Sequence, residues 1–143
     1  MKRLAALLLV FAAGAQAAEF RSVQDNAAVL FDAPSRAAKP VFVVQRHYPL
    51  EVIITLDTWI KVRDHAGALS WIERKSLSEK RMVMVAGASA EVRQRPEEDA
   101  PVAFAAAQYV VLELVEVAPN GWLRVRHADG ASGYVRAAQV WGD

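Results

Sequence analysis

The stretch Trp59-Ile60-Lys61-Val62-Arg63, followed by Gly67-Ala68, Trp71-Ile72 and Leu77, decides the fold because it occurs twice. The second copy reads Trp122-Leu123-Arg124-Val125-Arg126, Gly130-Ala131, Tyr134-Val135 and Val140, each position 63 residues later without a gap. Within each five-residue run, Trp and basic residues alternate with Ile, Leu or Val. That period of two belongs to a strand with one polar and one apolar face. Ile60, Val62, Leu123 and Val125 are therefore expected in a core. Trp59 and Trp122 share the other face with Lys61, Arg63, Arg124 and Arg126, so their indoles are expected to stay partly exposed and to contact a ligand.

The repeat extends upstream. Leu50-Glu51-Val52 matches Leu112-Glu113-Leu114, Pro34 matches Pro96, and Phe20-Arg21-Ser22-Val23 falls opposite Met82-Val83-Met84-Val85, all 62 positions apart. The extra residue lies at Ala118-Pro119-Asn120-Gly121, in a turn, where insertions are tolerated. Two copies, about 20–77 and 82–141, are too few for a solenoid and read as tandem small domains.

Each copy breaks into short strands. In the first they are Ala28–Phe31, Val41–Gln45, Leu50–Leu56, Trp59–Arg63 and Leu69–Ile72. In the second they are Glu91–Arg93, Val102–Ala106, Val110–Val117, Trp122–Arg126 and Ser132–Val135. Asp32-Ala33-Pro34-Ser35 and Asp129-Gly130 are turns. The pieces Glu73–Ser76 and Arg136–Gln139 suit a single 3₁₀ turn. No helical stripe is evident after the N-terminus, so the fold is expected to be all-β, two small antiparallel barrels. A module this small buries only about 60% of its unfolded surface. With a linker as short as Ser78-Glu79-Lys80, the modules are expected to pack together or to share strand Arg81–Val85.

The N-terminus has the layout of a cleaved secretory signal: basic Met1-Lys2-Arg3, apolar Leu4–Ala13, and Ala15-Gln16-Ala17 before the cut. The expected organisation is a signal peptide over 1–17, one domain over 18–78 and another over 79–143. No later apolar run is long enough to span a bilayer. The chain has 17 basic and 16 acidic residues, a net of +1. Without Lys2 and Arg3, 15 basic residues face 16 acidic ones, near −1. That balance lacks the basic stripe nucleic acid requires. There is no Cys, which removes disulfides, thiol nucleophiles, thiolate metal sites and attachment of a lipid at an N-terminal Cys.

These motifs together resemble the bacterial SH3-like (SH3b) domain: a Pro loop after the first strand, Leu-Glu-aliphatic, Trp-x-basic-Val-Arg, Gly-Ala, aromatic-aliphatic and a short closing turn. The resemblance covers nearly all of the chain after the signal. It is similar to periplasmic tandem SH3-like proteins of Gram-negative bacteria, whose second repeat likewise ends aliphatic-Trp-Gly, here Val140-Trp141-Gly142. It implies a non-catalytic periplasmic binding module for peptidoglycan or its stem peptides, or an adaptor for an envelope protein. No cofactor is implied. The first copy departs from the pattern in having Phe31-Asp32-Ala33-Pro34 at its first loop and Thr58, not Gly, before Trp59.

Aromatic faces with polar tips suit an extended peptide. The candidates are Tyr48, Trp59 and Trp71 in the first copy, and Tyr109, Trp122 and Tyr134 in the second, with the groove expected near Trp122 and Tyr109. The acidic loop residues Glu97, Glu98 and Asp99 could meet the amine of a wall peptide; solvated loop charge is the plain alternative. His47, His65 and His127 are not at metal spacing and read as surface turn residues. No hydrolase motif appears.

Overall fold

A computed structural model describes residues 17–143; the expected signal sequence lies almost entirely outside the described residues. The first sheet is built from β1 (Phe20–Val23), β2 (Ala27–Phe31), β3 (Pro40–Gln45), β4 (Pro49–Thr55), β5 (Trp59–Arg63), β6 (Leu69–Glu73) and β7 (Leu77–Ser78). The second uses β8 (Met82–Val85), β9 (Ser89–Arg93), β10 (Val102–Ala107), β11 (Val111–Ala118), β12 (Trp122–Arg126), β13 (Ser132–Arg136) and β14 (Val140–Trp141). Strand orders are β3-β2-β6-β5-β4-β1-β7 and β10-β9-β13-β12-β11-β8-β14. Each strand of the second sheet holds the place of the strand seven earlier. The described residues contain no α-helix, only 3₁₀ turns at Arg74–Ser76, Pro119–Gly121 and Ala137–Gln139.

The bends that curl each sheet also repeat. Ile53 and Val115 are extra residues in β4 and β11, and Val41 and Ala103 are extra in β3 and β10. Such bulges increase twist and bend the strand, which lets seven short strands enclose a core. The β2–β3 hairpin joins the rest of its sheet through Phe31 opposite Trp71, and β9–β10 joins through Arg93 opposite Tyr134. Beside the second of these pairs a Cβ on Gly133 would lie 2.5 Å from the Arg93 carbonyl oxygen, so β13 can approach β9 only with glycine there.

Each repeat encloses its own core. Val23, Leu30, Leu50, Ile60, Val62 and Ile72 fill the first, and Val83, Val85, Val92, Leu112, Leu123, Val125 and Val135 the second. Ile60, Val62, Leu123 and Val125 are at most 1% exposed, as the alternation of β5 and β12 requires. Strand Met82–Val85 pairs only with β11 and β14, so no strand is shared. The repeats are joined by packing instead. Trp141 meets Phe20 edge-on with ring centres 5.1 Å apart. Arg81 lies over Phe20 at 5.8 Å and donates to the Gly142 carbonyl at 3.0 Å.

Candidate functional site

Two depressions occupy equivalent places in the two repeats. The first is lined by Val29, Phe31, Arg36, Glu73 and Ser76, among others. The second is lined by Glu91, Arg93, Glu98, Trp122, Arg136 and Gln139. Apart from Trp122, each residue of the second set matches one of the first at the repeat spacing. Three elements make each hollow: the outer face of the second strand, the Pro loop, and the junction of the sixth strand with its 3₁₀ turn. The loop is folded back by local hydrogen bonds. Asp32 donates its N–H to Lys39 O at 3.0 Å, and Gln94 to Pro101 O at 2.9 Å.

An ion pair ties loop to sheet in both, with opposite polarity. In the first repeat the loop contributes Arg36 and the strand end contributes Glu73, joined at 3.0 Å through Arg36 Nη2. In the second the loop contributes Glu98 and the strand end Arg136. Arg36 holds the Glu73 carboxyl below the usual carboxylate range, and Glu73 in turn raises Arg36.

Arg136 also donates to Asn120 O at 3.2 Å and lies over Trp122, its guanidinium carbon 4.3 Å from the ring centre. Trp122 is thereby only 4% exposed. This corrects the expectation of a partly exposed indole: the long Arg136 side chain covers it, a favourable cation–π placement. Trp59, whose neighbour at the matching place is the shorter Glu73, stays half-buried and meets Phe31 edge-on at 5.6 Å. Trp71 and Tyr134 are half-buried on the same outer faces. Glu91 pairs with Arg93, which donates to Ala100 O at 3.1 Å. Of the three acidic loop residues, only Glu98 lines the hollow. Glu97 pairs with Arg95 at 3.4 Å, and Asp99 is exposed.

Tyr109 does not line the Trp122 hollow. It lines a cleft between the repeats with Tyr48, His65, Val43, Arg46 and Met84. The Tyr48 hydroxyl is hydrogen-bonded to His65 Nδ1, and His65 meets Tyr109 edge-on at 5.1 Å. Burial pushes the Tyr48 phenol above its ordinary value. The sequence reading missed His65, Arg93 and Arg136. Aligning the repeats at their own spacing carries a signal for Arg136, since Arg36/Glu73 becomes Glu98/Arg136. His65 has no such signal, because its ring is recruited across the domain boundary.

The fold and its doubled hollow define a tandem β-barrel architecture. The bacterial SH3 domain family profile matches residues 24–79 and 86–142, and the chain belongs to that family. No curated protein sequence matches it. Among solved structures it is similar to NlpC1 from Trichomonas vaginalis, at 14% identity and a TM-score of 0.41, over 98% of this chain and 51% of that one. NlpC2 from the same organism gives 12% and 0.42, over 91% and 50%. An NlpC/P60 family protein from Bacillus cereus gives 15% and 0.40, over 85% and 55%. The chain thus spans about half the length of these neighbours. Among the described residues no helix is long and apolar enough to cross a membrane.

Proposed function

We propose that this protein is a non-catalytic binding module of the cell envelope that recognises peptidoglycan through its stem peptides, with the Trp122 hollow as the principal contact. The observation that carries the reading is the rim of that hollow, where Glu91 and Glu98 stand beside Arg93 and Arg136 over an indole floor. A stem peptide presents both free carboxylate and free amine, and this rim offers a partner for each. A ligand carboxylate would displace Glu98 from Arg136, and an amine would meet the carboxylate so released. This reading takes the N-terminal segment as a cleaved signal peptide that exports the module to the periplasm, where the wall lies.

Co-sedimentation with purified sacculi tests this. The parent should bind saturably. Arg136→Gln, which removes the charge but keeps a long polar side chain beside Trp122, should bind about tenfold more weakly, the loss of one charge-assisted hydrogen bond. No sedimentation by the parent, or equal sedimentation by the folded variant, would sink the reading. A protein adaptor role is favoured by the apolar cleft of Tyr48, His65 and Tyr109; periplasmic crosslinks that map there, without sacculus binding, would support it.

A further inference from the structure

The open edge of the first sheet is dressed differently from its counterpart in the second. β3 and β10 are both outermost strands, paired on one side only. The repeat sets Phe42 opposite Phe104. Phe104 packs against the second core and meets the His127 ring at 6.1 Å, and most of the residues beside it are alanine. In the first repeat the place of His127 is taken by Asp64. Its carboxylate accepts the N–H groups of Ala66 and Ala68 at 3.0 and 2.9 Å and offers no ring. Phe42 is 54% exposed and Val43 67%.

Edge strands are ordinarily guarded by charge, proline or a bulge. Here Pro40 and the bulged Val41 guard one end, and Phe42–Gln45 remains in regular register with no ionisable side chain. We propose that this segment pairs antiparallel with the same segment of a second copy of the chain, about a two-fold axis at Val43. Residues directly opposite must lie on the same face of the joined sheet. This register obeys that rule: Val43 meets Val43, and Phe42 meets Val44 of the second copy. Arg46 falls opposite Pro40, so no charge faces its own sign. Without Lys2 and Arg3 the net charge is near −1, which adds little repulsion between copies. Because β10 lacks the exposed apolar pair, each chain has one such edge, and the two-fold contact closes at a dimer.

Sedimentation velocity from about 1 µM to about 1 mM spans the range of ordinary reversible association. The expected result is a shift from monomer to dimer as concentration rises, with slowed amide exchange at Phe42–Gln45. Val43→Lys and Phe42→Lys should stay monomeric with the parent's melting curve. Ala105→Lys, the place on β10 that matches Val43, should dimerise like the parent. A monomer throughout, association beyond a dimer, or a dimer surviving in folded Val43→Lys would overturn the proposal.

Discussion

Trp59 and Trp122 show how far a single position can be read. Both open the fifth strand of a repeat, and both face outward by alternation. Yet Trp122 is buried under Arg136 while Trp59 is half-exposed beside Glu73. The difference lies in the neighbouring strand, so it predicts unequal costs. Trp122→Ala should destabilise by about 3–5 kcal/mol, as for other buried aromatics. Trp59→Ala, with less area to lose, should cost about 1–3 kcal/mol. Urea unfolding of both variants checks this, and equal midpoints would contradict it. Alternation correctly assigned Ile60, Val62, Leu123 and Val125 to the cores because their side is set by the strand itself. It misjudged Trp122 because exposure of an outward side chain depends on what lies over it. Tyr109 is a parallel case. Like His47 at the matching place (φ 71°), it sits in a left-handed turn, with φ of 69°. That conformation favours Gly or Asn, so a large ring there is held against local preference, and it points to the cleft rather than to Trp122.

At the scale of elements, the strands and turns were legible, since hydrophobic period and turn residues are local properties; the order in which the strands pair was not, because it is set by contacts far apart in the chain. The loop-to-sheet tie was not read, because Arg36 and Glu73 are far apart in sequence, as are Glu98 and Arg136. The reversed polarity has an energetic consequence. Were the two Pro loops exchanged between sheets, Arg36 would face Arg136 and Glu98 would face Glu73, so like charges disfavour that mispairing. Arg136→Glu should therefore weaken the second repeat, through repulsion with Glu98 and exposure of Trp122. Adding Glu98→Arg recreates the polarity of the first repeat and should recover about 0.5–1 kcal/mol, the usual worth of an exposed pair. A double-mutant cycle measures this, and zero coupling would refute it. In the first repeat the tie also sets a pH dependence. The Glu73 carboxyl is held below its ordinary range chiefly by the hydrogen bond from Arg36. Its contribution is therefore complete above the ordinary glutamate pKa and lost as pH falls through the depressed value. An NMR titration of Glu73 should show this low midpoint, and Arg36→Gln should raise it toward the usual value.

For the whole molecule, the short linker predicted that the repeats pack together, and the junction supplies the means. Ser22 Oγ donates to Lys80 O at 2.7 Å, and the chain's end returns across the boundary to set Trp141 on Phe20. Gly142 is the tightest point. Its φ is 116°, and a Cβ there would lie 2.8 Å from Met82 O and 3.2 Å from Pro49 Cβ. Met82 belongs to the second repeat and Pro49 to the first, so a side chain at this place would press on both. Backbone strain adds to the crowding, because L side chains rarely adopt that φ. Neither core contains Gly142, so Gly142→Val should leave both barrels folded while loosening the contact between them. The parent should melt as one cooperative unit, because Phe20, Arg81 and Trp141 couple the repeats. The variant should melt in two steps and show a larger radius of gyration by small-angle scattering. Trp141→Ala should act in the same direction more mildly, since it removes the aromatic contact without adding a clash. A single transition and an unchanged radius in Gly142→Val would mean that the linker and Ser22 alone hold the repeats together. Two transitions in the parent itself would mean that the junction contacts add too little to couple two independently stable barrels.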